Sequence, residues 1–290
     1  MLQQILTGLL IGSLYALIAQ SAVLAYMTTR TINFAVASVM SASAFLALAL
    51  APFDWLTTPG RIAIVAILAT AFGAVLFRVG VAPFSGSSEH DIRWILSLVA
   101  LGLVFDDLIL NSQGGQVHRL GYATIPGTLT IGDVTLSNQL ILIGVVSVSI
   151  IGIIELASRY TGIGLRMRAV AEDRGTAELM GIRTNRIRIG SYAVGMIGVS
   201  IGAVLWSAQV GVSPALGSPL LLASFGAAII SSFTSIGGVL VGGAIFGVVT
   251  QLSSYIFGSA IGQVSGLILV ILVLVLRPQG IFGKRALEKV

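Results

Sequence analysis

Long apolar runs separated by short polar breaks cover almost the whole chain, and the length of the runs decides what they are. Reading from break to break gives nine apolar segments, at 5–27, 33–51, 61–79, 93–111, 138–158, 188–210, 219–234, 236–257 and 262–277. About 20 apolar residues in a helix cross the hydrocarbon core of a bilayer. Backbone in lipid must also satisfy its own hydrogen bonds, which a helix does within one segment. The pattern predicts an all-α, polytopic membrane protein of about eight to nine transmembrane helices. Asn33 opens the second segment with a polar group, which predicts a broken or late-starting helix. The seventh segment is short and meets the eighth at a glycine-rich join, Gly237-Gly238. No polar stretch is long enough for a second domain, and residues 1–290 read as one transmembrane unit.

Composition agrees with this reading. The chain is 56% hydrophobic and 9% charged, with a mean hydropathy of +1.01, whereas a soluble domain carries about a quarter charged residues. A net charge of +5 could point to nucleic acid, but the charges sit in the breaks between spans, where lipid orientation explains them. No nucleic acid is expected as a partner; lipid is. Met1 to Gln4 carry no Lys or Arg, so the run from Ile5 to Tyr26 is expected to be a span rather than a signal-peptide core. With no Cys there is no disulfide, thiolate metal site or Cys nucleophile.

Charge then sets orientation. With nine spans and the C-terminus inside, fourteen of the sixteen Lys and Arg residues fall on the cytoplasmic side, and only Arg61 and Arg119 lie outside. The outer loops are nearly uncharged. The longest, 111–138, contains Gly114, Gly115, Pro126 and Gly127, followed by an alternating stretch that predicts a hairpin-like cap. The region 159–187 is the one long polar stretch on the cytoplasmic side, and with Arg188 at its edge it holds seven arginines: Arg159, Arg166, Arg168, Arg174, Arg183, Arg186 and Arg188. Its spacing predicts two short amphipathic helices, at about 165–173 and 176–180, divided at Gly175 and closed by Gly181. On residues alone this stretch is either a docking surface for another protein or a solvated connector that orients the spans.

The remaining chemistry is sparse. Glycines recur at GxxxG spacing (Gly8/Gly12, Gly198/Gly202, Gly238/Gly242, Gly243/Gly247, Gly258/Gly262/Gly266). They predict close helix packing, within the chain or against a second subunit. Asp106 and Asp107 are expected near the outer interface, paired with His118 or Arg119, and Glu155 with Arg159 one turn on. His90 and His118 fall on opposite sides, which leaves no His–His metal site; no catalytic set can be assembled, and none is expected. Asn33, Ser38, Ser41, Ser231, Ser232 and Thr234 are polar at or near segment breaks and are the candidates for a solute path. Hydrogen bonds between packed helices are the alternative use for such hydroxyls.

Three stretches carry a family resemblance. Residues Gly164 to Gly181 contain Arg168, Ala169, Ala171 and Asp173, then Ala177 and Gly181. They resemble the coupling segment of ATP-binding-cassette importer permeases, most closely those of the branched-chain amino acid (Liv-type) family. The first span followed by Arg30, Asn33, Phe34 and Ala35, and the closing Arg277-Pro278-Gln279-Gly280-Ile281-Phe282-Gly283, are similar to the same family. There are departures: Val36-Ala37 replaces the family's His-Gly, and Ser231-Ser232-Phe233-Thr234-Ser235 replaces most of a Gly-Gly-x-Gly-Ser turn. Both leave the permease role intact and bear on the solute.

The resemblance implies a permease with no ATPase chemistry, consistent with the lack of a phosphate-cradling G-x-x-x-x-G-K-[ST] loop. It implies two cytoplasmic ATPases that hold ATP and Mg, a second permease that is a homologue, and an extracytoplasmic solute-binding protein, all at a bacterial cytoplasmic membrane. The ATPase-coupling residues would be Arg168, Glu172, Ala177, Met180 and Gly181, with Gly175 as the bend. The implied cargo is a branched-chain or other hydrophobic amino acid. An ion-coupled secondary transporter is one rival, a non-transport membrane scaffold another, and urea, short amides or other small solutes are alternatives within the importer class.

Overall fold

A computed structural model of the chain describes residues 1–84, 93–277 and 279–283. Within them, eight helices are long and apolar enough to cross a membrane, and a ninth, α2, is apolar but shorter. The helices are α1 (Leu2–Thr29), α2 (Val36–Ala49), α3 (Thr58–Leu76), α4 (Arg93–Gln113), α5 (Asn138–Tyr160), α6 (Gly162–Glu172), α7 (Arg174–Leu179), α8 (Thr184–Val210), α9 (Gly217–Ser231), α10 (Gly238–Phe257) and α11 (Ser259–Leu276). Each of the nine predicted segments therefore forms a helix, eight of them long enough to span. The lone sheet among the described residues is a two-stranded hairpin, β1 (Thr128–Ile131) and β2 (Val134–Ser137), in the expected cap.

Several boundaries have local causes. α1 stops where Arg30 takes a left-handed conformation (φ 57°). The chain then runs unwound through Asn33, so α2 starts late, at Val36, as the polar opening of that segment predicts. α3 is capped by the Thr57 hydroxyl, which accepts the Gly60 N–H at 3.3 Å, with a proline in the first turn. It continues through a π-helical turn at Phe77–Val81. The α9–α10 turn spans 232–237, so both helices are shorter than the predicted segments at their junction.

α1 is the axis of the bundle. In its most apolar stretch 78% of residues are buried, against 11% in α4 and in α11, which places those two at the periphery. α8 and α10 flank α1, α2 and α3 lean on α8, and α9 and α11 on α10. The α1–α10 crossing is made by glycines. A Cβ on Gly12 would lie 2.3 Å from the Gly243 carbonyl oxygen, and one on Gly247 would lie 2.3 Å from that of Gly8. The choice left open by the GxxxG spacing is settled for these four: they pack within the chain.

At the hairpin end, Gln139 of α5 ties three elements. Its Nε2 donates to the Leu205 carbonyl at 3.0 Å, and its Oε1 accepts the Ile125 N–H at 3.0 Å. The long loop joins the α8–α9 connection through paired backbone bonds between His118 and Val212. Asp107 accepts from Asn111, one turn later, at 3.0 Å rather than pairing with His118 or Arg119. Short range favours the i+4 partner on the same helix. His90, Pro278, Lys284, Arg285 and Lys289 lie outside the described residues, so the expected separation of His90 from His118 has no structural counterpart.

Candidate functional site: the α6–α7 segment and the adjoining cavity

The basic stretch folds as two short helices, as its spacing predicts, but the break is at Asp173. The Asp173 carboxylate accepts the Thr176 N–H at 2.7 Å and caps α7, while its own backbone is extended. Gly175, the expected bend, is the second residue of α7. The Thr176 N–H bond, foremost, holds the Asp173 carboxyl below the usual carboxylate range. Gly181 closes the segment at φ +78°, a left-handed conformation that suits glycine.

One side of this segment faces the bundle. Val170 is buried, and Met167 packs against the core formed by α1, α5, α9 and α10. Ala177 is 3% exposed, so it sits inside the chain and not on a free surface. Polar ties complete the attachment. Arg30, at the end of α1, donates to the Ala171 carbonyl at 3.0 Å. Arg168 donates to that of Arg159 at 3.3 Å. Glu178 accepts from Arg174 at 3.0 Å and from the Thr184 hydroxyl at 2.6 Å, which draws its carboxyl below the usual range, Thr184 first. Glu155 pairs with Arg159 as expected.

The other side faces out. Leu179 is 90% and Met180 78% exposed, side by side at the tip of the segment, with Glu172 and Gly181 exposed nearby. Two adjacent large apolar side chains at a polar tip form a knob that water solvates poorly. Of the six expected coupling residues, Arg168, Glu172, Gly175, Met180 and Gly181 are exposed and only Ala177 is not.

The six candidate path residues divide. Ser38 donates to the Gly102 carbonyl at 2.9 Å and Ser41 to that of Pro214 at 2.8 Å, so both serve helix packing. Ser231 donates back to Ala228 at 3.0 Å within its own helix. Asn33 is fully buried; its Oδ1 accepts the Ala35 N–H at 3.1 Å and its Nδ2 has no partner among the described residues. Ser232 and Thr234 line a cavity. It measures about 780 Å³ and lies where the α9–α10 turn meets Tyr26, Arg30 and the closing Gln279–Gly283. Ser232 stands there at φ +96°, a conformation rarely adopted by a residue with a Cβ. Its hydroxyl bonds that of Thr234 at 2.8 Å. The closing segment holds the end of α9 by Ile281 N–H to the Ile230 carbonyl (2.8 Å) and Phe282 N–H to that of Ser231 (3.1 Å).

Comparison with known proteins places this architecture. A family model described as branched-chain amino acid transport system / permease component matches residues 4–276. The chain belongs to that family. The permease is 31% identical over 303 residues to the high-affinity branched-chain amino acid transport system permease protein BraD of Pseudomonas aeruginosa, covering 100% of this chain and 98% of that one. It is 28% identical to LivH of Escherichia coli K12, of the same description, over 100% and 97% of the two chains. A probable LivH of Methanocaldococcus jannaschii is 25% identical over 97% and 92%. Among solved structures, PsaBC from Streptococcus pneumoniae in complex with Fab matches with a TM-score of 0.48 at 15% identity, over 96% of this permease and 91% of that chain.

One cluster escaped sequence reasoning. Arg188, counted with the loop arginines, is 4% exposed, and its guanidinium lies 5.1 Å from the ring centre of Phe77 in the π-helical turn. One turn on, the Tyr192 hydroxyl bonds that of Thr31 at 2.7 Å. The signal was the i, i+4 spacing of Arg188 and Tyr192 on one face of α8. Its partner at Phe77 comes from a distant span and leaves no local trace.

Proposed function

We propose that this permease is the membrane subunit of an ATP-binding-cassette importer for branched-chain or other hydrophobic amino acids. It works in a bacterial cytoplasmic membrane with its C-terminus and α6–α7 in the cytoplasm. Two ATPases that carry ATP and Mg grip α6–α7 on this subunit and on a homologous second permease, and an extracytoplasmic binding protein delivers the solute. The observation that carries this reading is the two-sided α6–α7 segment: Met167, Val170 and Ala177 anchor it inward while Leu179 and Met180 project from its tip. A lever needs a firm hold on what it moves and a free surface for what moves it. The hold reaches the bundle axis through Arg30, whose guanidinium bonds the Ala171 carbonyl beside the end of α1.

On this reading the solute leaves through the cavity at the α9–α10 turn. Its Ser232 and Thr234 hydroxyls and the Arg30 guanidinium suit the charged groups of a zwitterion, and Phe233 and Leu274 suit its apolar side chain. The test is uptake of labelled leucine into proteoliposomes holding both permeases, both ATPases and the binding protein. Uptake should require ATP and the binding protein. Uptake driven by a proton or sodium gradient through this chain without ATPases would overturn the proposal.

A further inference from the structure

A second concavity lies on the flank of the bundle, and transport as described above makes no use of it. It is a half-open groove of about 490 Å³ between α5 and α8, with Leu24 of α1, Ile154 of α5, Ile163 and Met167 of α6 and Val194 of α8 in its walls. Among the described residues, Arg186 is its one charged lining residue. The Thr161 and Ser191 hydroxyls in the groove bond carbonyls of their own helices, at 2.6 Å to Ala157 and 2.9 Å to Ile187. The groove therefore offers an apolar channel with a cation at one end.

Depth narrows the occupant. Arg186 is in the first turn of α8 and Val194 eight residues further along it, so the groove rises about 12 Å from the polar end at 1.5 Å per residue. One leaflet contributes about 15 Å of hydrocarbon. The groove thus spans most of one leaflet, with its cation at headgroup level. An extended peptide there would bury N–H and C=O groups against walls with almost nothing to bond them; an acyl chain has no such need. The Arg186 guanidinium is exposed and has no partner among the described residues, and Arg183 stands one turn before it. Charge-assisted bonds from arginine suit a phosphate.

We infer that this groove binds one anionic phospholipid of the adjoining leaflet, an acyl chain between α5 and α8 and the phosphate on Arg186. The site rests on the bundle spanning a membrane and not on the transported solute. Because Met167 of α6 forms part of the wall, a seated chain also fixes α6 against α5 and α8.

The test uses the full chain purified in neutral detergent, titrated with phosphatidylglycerol or phosphatidylcholine of identical chains and followed by native mass spectrometry and thermal unfolding. Phosphatidylglycerol should remain bound and raise the unfolding midpoint; phosphatidylcholine should do neither to the same extent. Arg186→Gln should weaken phosphatidylglycerol binding about tenfold, the loss of one charge-assisted bond. Arg166→Gln, on the exposed side of α6, should leave it unchanged. Gly190→Leu should block the groove, since a Cβ there meets nothing within 4 Å and points into open space lined by the groove. Equal retention of the two lipids, equal binding by Arg186→Gln, or a dimer that Gly190→Leu disperses without changing lipid binding would each overturn the assignment. Arg186 is a surface residue, so its variant reports even if Gly190→Leu does not fold.

Discussion

Where α1 crosses α10, backbone meets backbone: Gly8 and Gly12 lie on Gly243 and Gly247 with no room for a methyl group. At the α6–α7 segment the reverse holds. Two helices of 11 and 6 residues hang from the bundle by a few buried or half-buried side chains, Met167, Val170 and Ala177 among them, and some polar bonds, and end in an exposed Leu179 and Met180. In lipid no hydrophobic drive pulls helices together, so the crossing depends on close van der Waals contact. The segment depends on caps and on its docked underside. On the proposed reading the first region is the fixed frame and the second the movable lever.

The largest expected effect comes from breaking the frame. Gly12→Leu forces side-chain atoms into the Gly243 carbonyl, neither backbone can yield cheaply, and the loss should be about 3 kcal/mol or more. Membrane yield and unfolding midpoint in detergent measure it. The double variant Leu179→Asp, Met180→Asp strikes the lever instead. ATP-dependent uptake should fall more than about tenfold while stability changes by less than about 0.5 kcal/mol, as for exposed positions. A large drop in midpoint would mean that the knob belongs to the frame.

A smaller effect of opposite sign is expected at the turn between them. Ser232→Gly removes the Cβ from a strained conformation and should stabilise the fold by about 1 kcal/mol; an unchanged or lower midpoint would show that the Thr234 hydrogen bond outweighs the strain. The smallest effect is local. Asp173 has a lowered carboxyl pKa because it caps α7, so its stabilisation is complete above the ordinary carboxylate range and is lost as pH falls through the lower folded value. Amide exchange at Thr176 should be protected at neutral pH and speed up only in acid. Asp173→Ala should exchange quickly at neutral pH already.

How far the sequence reached depends on what kind of force set each feature. The spans were legible because apolar length is a one-dimensional property, and even the late start of α2 followed from Asn33. The bend in the basic stretch was misplaced by two residues because glycine and aspartate both mark helix ends, and only the Thr176 bond identifies Asp173 as the cap. The path residues were the least legible. Serine in a lipid-spanning helix serves its own backbone, a neighbouring helix or a cavity equally well, and Ser231, Ser38 and Ser232 turned out to be one of each. Arg188 was hidden because an arginine at the edge of an apolar run looks like a loop residue until Phe77 from another span covers it.

The chain contains no cysteine, so a single Met180→Cys gives an unambiguous chemical handle at the tip of the lever. In membranes holding the assembled importer, a short crosslinker with a maleimide at one end and a lysine-reactive succinimidyl ester at the other should join this cysteine to an ATPase subunit, and ATP should leave the yield largely unchanged. Labelling of the same cysteine by an impermeant thiol reagent from the extracytoplasmic face, or no ATPase adduct in a complex that transports, would contradict the account.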